Sequence, residues 1–143
     1  MIAPAGYSGT SLAQKLGMKD GQRALFIGLP EQLAGLAEAR SFVSVVQSGW
    51  DGLAAAGKNF DFVHGFTTLR AELETAARPL MEAITRDGAI WISWPKQASK
   101  VRTDITEDTI RDVVLPIGLV DVKVAAVDAV WSGLKLVIRK ELR

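Results

Sequence analysis

One histidine, His64, stands in a chain of 143 residues that contains no cysteine. Imidazole chemistry must therefore use His64, and thiolate nucleophiles, disulfides and cysteine-based metal sites are excluded together. Phe60, Phe62, His64 and Phe66 alternate along a strand and are expected on one face, as a wall packed under a helix. A core histidine bonded to its surroundings is the simpler role for such a residue, and a general base the alternative. Carboxylates alone remain for a metal, and Asp104, Glu107 and Asp108 read as helix-start residues. Serine nucleophiles lack a setting, since no G-x-S-x-G elbow occurs.

Binding chemistry is better represented. Trp94-Pro95-Lys96 combines a flat aromatic face, a fixed backbone and a cation just beyond a strand, a combination that can hold an anion or an aromatic ring. Lys96, Lys100 and Arg102 form a small basic loop opposed by Asp104. Tyr7, Ser8 and Thr10 near the start, and Trp131 with Ser132 and Gly133 near the end, are loops of aromatic, small and hydroxyl residues of the kind that often carry sites. Tyr7, Ser8, Thr10, His64, Trp94, Lys96 and Trp131 are accordingly the candidate ligand-binding residues. The sequence offers no catalytic residue and no metal ligand set.

The elements that would position these residues follow from hydrophobic periodicity. A short helix at Ser11–Leu16 precedes a buried strand at 23–28, a helix at 30–39 with Pro30 in its first turn, and a strand at 42–46. A loose helical stretch over 48–59 leads to a strand at 60–66. Leu69, Leu73, Ala76, Ala77, Leu80, Met81 and Ile84 then mark a long amphipathic helix capped by Thr67 or Thr68. Pro79 inside it predicts a bend or a second start, and Arg86-Asp87-Gly88 predicts its end. A strand at 89–94 stops at Pro95, a helix begins near Thr106, and Gly118 ends it. Strands at 120–127 and 134–139 close the chain as an antiparallel hairpin. Such alternation predicts an α/β fold, a three-layer Rossmann-like sandwich with a mostly parallel sheet, over a single domain 1–143 whose residues 1–22 form an N-terminal arm and short helix.

From Phe60 onward this order resembles the second half of class I methyltransferases: a strand opening Phe-Asp, a long helix, an Asp-Gly turn, a strand, a helix ending Gly-Leu and a closing hairpin. The resemblance implies that fold, with S-adenosylmethionine as the possible cofactor and the N-terminal segment, Tyr7 included, folding over the ligand crevice. A narrower resemblance joins the chain to a small bacterial family of unknown function. It rests on Gly6-Tyr7-Ser8-Gly9-Thr10, Leu12-Ala13, Lys15-Leu16-Gly17, Trp91-Ile92-Ser93-Trp94-Pro95-Lys96, Thr103-Asp104-x-Thr106-Glu107-Asp108, Gly118-Leu119-Val120-Asp121-x-Lys123 and Trp131-Ser132-Gly133-Leu134. This chain departs from the methyltransferases at the cofactor loop. Gly28-Leu29-Pro30-Glu31-Gln32-Leu33-Ala34-Gly35 is not glycine-rich, Val45-Val46-Gln47 ends without a carboxylate, and no G-x-G-x-x-G occurs.

Composition narrows the function classes. Seventeen Lys and Arg against sixteen Asp and Glu give a net charge of +1. That near balance, with only a basic fringe at the C-terminus and no interleaved aromatics, argues against nucleic acid. No run reaches the roughly 20 apolar residues of a membrane span, and Met1–Thr10 has neither the basic nor the apolar part of a secretory signal, so the expected compartment is the cytoplasm. The first expectation is a non-catalytic or regulatory domain on a degenerate methyltransferase-like fold, binding a small anionic ligand or a partner protein. The alternative is an S-adenosylmethionine-dependent methyltransferase with an atypical cofactor loop. A homodimer through the edge of strand 134–139 is a third expectation.

Overall fold

The computed structural model describes residues 11–143. The first two strands, β1 (Arg23–Ile27) and β2 (Ser44–Ser48), are joined by 3₁₀ turns over Glu31–Glu38. A second 3₁₀ segment, Trp50–Ala55, leads to β3 (Phe60–Phe66). Helix α1 (Leu12–Lys15) precedes β1, α2 (Arg70–Ala83) follows β3, and α3 (Glu107–Val114) follows β4 (Ile84–Pro95). Strands β5 (Leu119–Ala126) and β6 (Trp131–Ile138) complete a six-stranded sheet in the order β2-β1-β3-β4-β6-β5.

The first four strands pair in parallel, and β6 is inserted antiparallel between β4 and β5, so strand 134–139 is paired on both sides and is not the sheet edge expected of it; the edges are β2 and β5. β5 therefore runs in the same direction as the first four. Each face of the sheet buries its own apolar cluster. Leu25, Val63, Ile90, Ile92 and Trp94 meet α2 and α3 on one side. Phe26, Phe62, Phe66 and Trp91 meet α1 and the 31–38 turns on the other. Burial on both faces is why the central strands read as continuous apolar runs. The fold is a Rossmann-like α/β sandwich closed by an antiparallel hairpin-like pair.

Several local expectations need correction. Residues 31–38 form 3₁₀ turns rather than an α-helix, with no side-chain cap at Pro30 and Gly35 in the middle of the segment. β2 begins at Ser44, two residues later than its β-branched pattern suggests, because Val43 still serves the loop by donating to Gln22 O. Phe60 does not share the face of Phe62 and His64. A register irregularity between Phe60 and Phe62 turns its ring into the α2 side. The same irregularity absorbs Arg86-Asp87-Gly88 into β4, where a Cβ on Gly88 would stand 2.9 Å from Phe60 O.

Helix α2 is one helix with Pro79 inside it. Its cap is not a neighbouring threonine: Asp104 Oδ1, 34 residues away, accepts from Arg70 N at 2.7 Å. Thr67 instead accepts from Leu69 N and donates to Glu72. Asp104 thus serves α2 rather than α3, whose own start carries a capping box made by Thr106 and Thr109. β6 begins three residues earlier than its apolar pattern indicates, at Trp131, where Pro95 is its partner.

Candidate functional site

In an open α/β sheet, ligands enter beyond the carboxyl ends of the strands, where the strand order reverses. Here β1 lies between β2 and β3, so the crevice opens at Gly28 and Phe66. Gly28 has φ +65, and a Cβ there would come within 2.9 Å of Phe66 O and 3.3 Å of Trp50 Nε1. A Cβ on Gly65 would stand 2.7 Å from Trp50 Cη2 and 2.9 Å from its Cζ2. Trp50 Nε1 donates to Phe66 O at 2.8 Å. Two glycines and a strand-end carbonyl therefore form a slot for a flat ring bearing an N–H, and the indole of Trp50 fills it.

Beside this slot a groove of about 400 Å³ runs between the 50–55 segment and α2, lined by Trp50, Asp51, Leu53, Glu72, Thr75 and Pro79. That volume lies in the range of small-molecule sites. Glu72 is held near its mouth by the 2.6 Å hydrogen bond from Thr67 Oγ1. Asp51, three residues past the end of β2, is the second carboxylate that lines this groove. Trp50, Asp51 and Glu72 were not legible as site residues. The only signal was their position just after β2 and β3, the strands that flank β1.

The candidate residues of the sequence divide among different places. Tyr7, Ser8 and Thr10 lie outside the described residues. Trp94 is buried in the core on the α2–α3 side, in the same cluster as Ile105, so its ring is not a surface on which a ligand could rest. Lys96 follows it at the top of the sheet, its backbone N–H bound to Val130 O at 2.7 Å. His64 and Trp131 come together on the opposite face through Phe66. The His64 ring stacks on Phe66 at 4.1 Å, and Phe66 meets Trp131 edge-on at 5.3 Å.

His64 is fully enclosed, with Nε2 2.7 Å from Ser93 Oγ and Nδ1 without a hydrogen-bond partner among the described residues. Burial lowers its pKa to about 3, so the ring is neutral near neutral pH. It cannot reach a substrate in the Trp50 groove, which lies on the other side of the sheet. Trp91 crosses the same face and donates from Nε1 to Leu16 O at 2.9 Å, fastening α1 to the sheet. Gly133 permits this packing, since a Cβ there would stand 3.0 Å from both Trp91 Cε3 and Ser93 Oγ. Among the described residues there is no group of three or more His, Cys, Asp or Glu able to hold a metal ion. No described helix is long and apolar enough to cross a membrane.

The sheet order, the inserted β6 and the crevice at β1 and β3 define the class I methyltransferase type of Rossmann fold, and solved structures agree. An S-adenosylmethionine-dependent methyltransferase from Aquifex aeolicus superposes with a TM-score of 0.64 at 13% identity, over 89% of this chain and 87% of that one. A TehB-like S-adenosylmethionine-dependent methyltransferase from Corynebacterium glutamicum gives 0.57 at 14% identity, over 94% and 91%. Aeropyrum pernix fibrillarin, solved with natively bound S-adenosyl-L-methionine, gives 0.55 at 11% identity, over 88% and 73%. No family model matches the sequence, and no curated protein matches it. The chain has the methyltransferase fold; at these identities the likeness is one of architecture.

Proposed function

We propose that this chain binds S-adenosylmethionine at the β1–β3 crevice, as a methyltransferase-type protein with an atypical cofactor loop. The observation that carries the reading is the slot formed by Gly28, Gly65 and Phe66 O. It accepts a flat ring with a donor at the switch point of a methyltransferase fold. The adjoining groove suits the rest of such a ligand. S-adenosylmethionine carries a sulfonium and an ammonium, and Asp51 and Glu72 place carboxylates along the groove. Its ribose hydroxyls are donors that either carboxylate can accept.

When bound, the cofactor supplies an electrophilic methyl group. This chain's own contribution is to orient it: Phe66 O and the two glycines at one end, Asp51 and Glu72 along the side. Entry to the slot requires the Trp50 indole to leave it, which lowers apparent affinity by the fraction of molecules in the open state. The loop Gly28-Leu29-Pro30 contributes one glycine where methyltransferases have several, so within this loop the backbone approach to the ligand falls on Gly28, with Gly65 of β3 beside it.

The occupied slot supports a second reading, a non-catalytic or regulatory domain that keeps the fold and binds a different small ligand or a partner protein. Here Trp50 is a permanent plug, and the enclosure of His64 in the core is in keeping with it. Calorimetric titration of S-adenosylmethionine into the wild type and Trp50→Ala separates the two. Under the first reading the wild type binds, and Trp50→Ala binds more tightly because no indole must be displaced. Absence of heat from both proteins at millimolar ligand would leave only the second.

A further inference from the structure

We propose that Lys19, Lys123 and Lys135 form an anion site for a phosphate-bearing ligand on the sheet face covered by α1. This face is opposite the Trp50 groove, and the inference is independent of the cofactor reading. It starts from a row of residues in register across the sheet. Gln47 pairs with Phe26, Phe26 with His64, His64 with Trp91, Trp91 with Lys135, and Lys135 with Lys123. The aromatic middle of the row is core, and its β6–β5 end is two lysines directly opposite each other.

A β-bulge makes that juxtaposition. Along β5, Asp121 faces α3 and accepts from Arg111 Nε at 2.9 Å. Simple alternation would put Lys123 on the same face. The register shift between Asp121 and Lys123 inserts Val122 and turns Lys123 to the α1 side instead, opposite Lys135. Bulges of this kind re-aim side chains next to functional sites. Directly opposed like charges destabilise a strand pair, so a bulge that creates such a pair works against stability unless an anion joins it.

Among the described residues no carboxylate forms an ion pair with the three ammonium groups. Every ion pair among the described residues involves Arg70 or Arg111, both elsewhere. Asp20, next to Lys19, is engaged by Ser41 N, and Asp128 accepts from Val130 N and Trp131 N. Residues 1–10 contain no Asp or Glu, so that segment brings no side-chain counter-charge. Lys123 Nζ donates once, to Lys15 O at 3.0 Å. Lys135 Nζ makes no hydrogen bond among the described residues and lies 3.6 Å from where a Cβ on Gly17 would be. Burial first, and then the charges of Lys123 and Lys19, hold the Lys135 ammonium below its ordinary pKa. Lys123 and Lys135 opposed on adjacent strands, with Lys19 two residues beyond the Gly17 that the Lys135 ammonium reaches, suit a compact multiply charged anion such as a phosphate group.

Inorganic pyrophosphate is the probe. It is titrated into the full chain while the lysine side-chain resonances are followed by NMR, in the wild type, Lys123→Met and Lys19→Met. Both substituted side chains are exposed, and backbone spectra verify that the variants remain folded. Pyrophosphate is expected to shift the Lys135, Lys123 and Lys19 signals of the wild type and to raise the pKa of Lys135. Each variant is expected to bind about tenfold more weakly, the effect of roughly one lost charge contact. In Lys123→Met the pKa of Lys135 rises before any ligand is added. The proposal is overturned if lysine signals stay unmoved at pyrophosphate on the order of 10 mM, if the shifts fall on other lysines, or if both variants bind like the wild type.

Discussion

The indole N–H of Trp50 donates to the backbone carbonyl of Phe66 at 2.8 Å, closing the crevice between β1 and β3 from inside the chain. This bond holds the end of β3 to the segment after β2, although β1 separates the two strands. Trp50→Phe keeps a ring in the slot and removes only the donor. It should lower stability by about 1 kcal/mol, the usual net worth of a hydrogen bond with a half-exposed partner. Urea unfolding of the two proteins measures it; a loss several times larger would mean that the indole's packing, not its N–H, does the holding.

Gly65 faces the other end of the same ring. A methyl group there would overlap Trp50 Cη2 and Cζ2, at 2.7 and 2.9 Å. Gly65→Ala should therefore push Trp50 out of the slot, at a cost of about 1–3 kcal/mol for overpacking. Trp50 should become more accessible to a fluorescence quencher. Unchanged stability and unchanged quenching would contradict the slot.

His64 makes stability depend on pH with a defined sign. Its folded pKa is lowered to about 3 by burial, against about 6.5 in an unfolded chain. Between those values the unfolded state binds the extra proton, so stability falls as pH falls. The full contribution is present above about 6.5 and is lost at roughly 1.4 kcal/mol per pH unit below it. Subtracting the urea stability of His64→Gln from that of the wild type across pH 4 to 8 isolates this slope from the carboxylates. A flat difference would show that the ring takes up its proton in the folded state.

Trp91 ties α1 to the sheet through Leu16 O and is fully buried. Trp91→Phe removes the donor and leaves that carbonyl unpaired in the core, with space where the larger ring was. A loss of about 2–4 kcal/mol is expected from the two effects together. Amide exchange should accelerate most in α1 and β4; uniform acceleration throughout the chain would mean that α1 depends on other contacts.

Thr106 caps α3 through Thr109 N and shares a capping box with the Thr109 side chain. Thr106→Ala should cost about 1 kcal/mol. A chemical-denaturation midpoint equal to that of the wild type would assign the helix start to its acidic residues instead.

Much of the fold was legible because periodicity follows directly from which face is buried. The alternation of strands and helices announced a mostly parallel sheet covered on both sides, Thr106 marked the start of α3 through local hydrogen bonding, and Gly118 marked the end of the 3₁₀ turn Leu115–Ile117 that follows α3. Residues 31–38 misled because apolar spacing alone does not distinguish successive 3₁₀ turns from a helix, and Phe60 because a bulge breaks alternation without a sequence signature. The site was less legible than the fold. His64 and Trp94 stood out by rarity and position, yet both are enclosed in the core, whereas Trp50 and Glu72 looked ordinary.

The sequence by itself determined the order of elements, the absence of thiol chemistry and the weakness of the cofactor loop, since each depends on residue type or on spacing within one segment. Tertiary structure decided what meets at the crevice and on the α1 face. Gly28, Trp50, Gly65 and Phe66 come from separate elements, and Asp104 reaches α2 across 34 residues. Lys123 faces Lys135 only because a single inserted residue turns β5. These relationships depend on strand order, register and a bulge, which are set by packing across the whole sheet and not by any local run of residues.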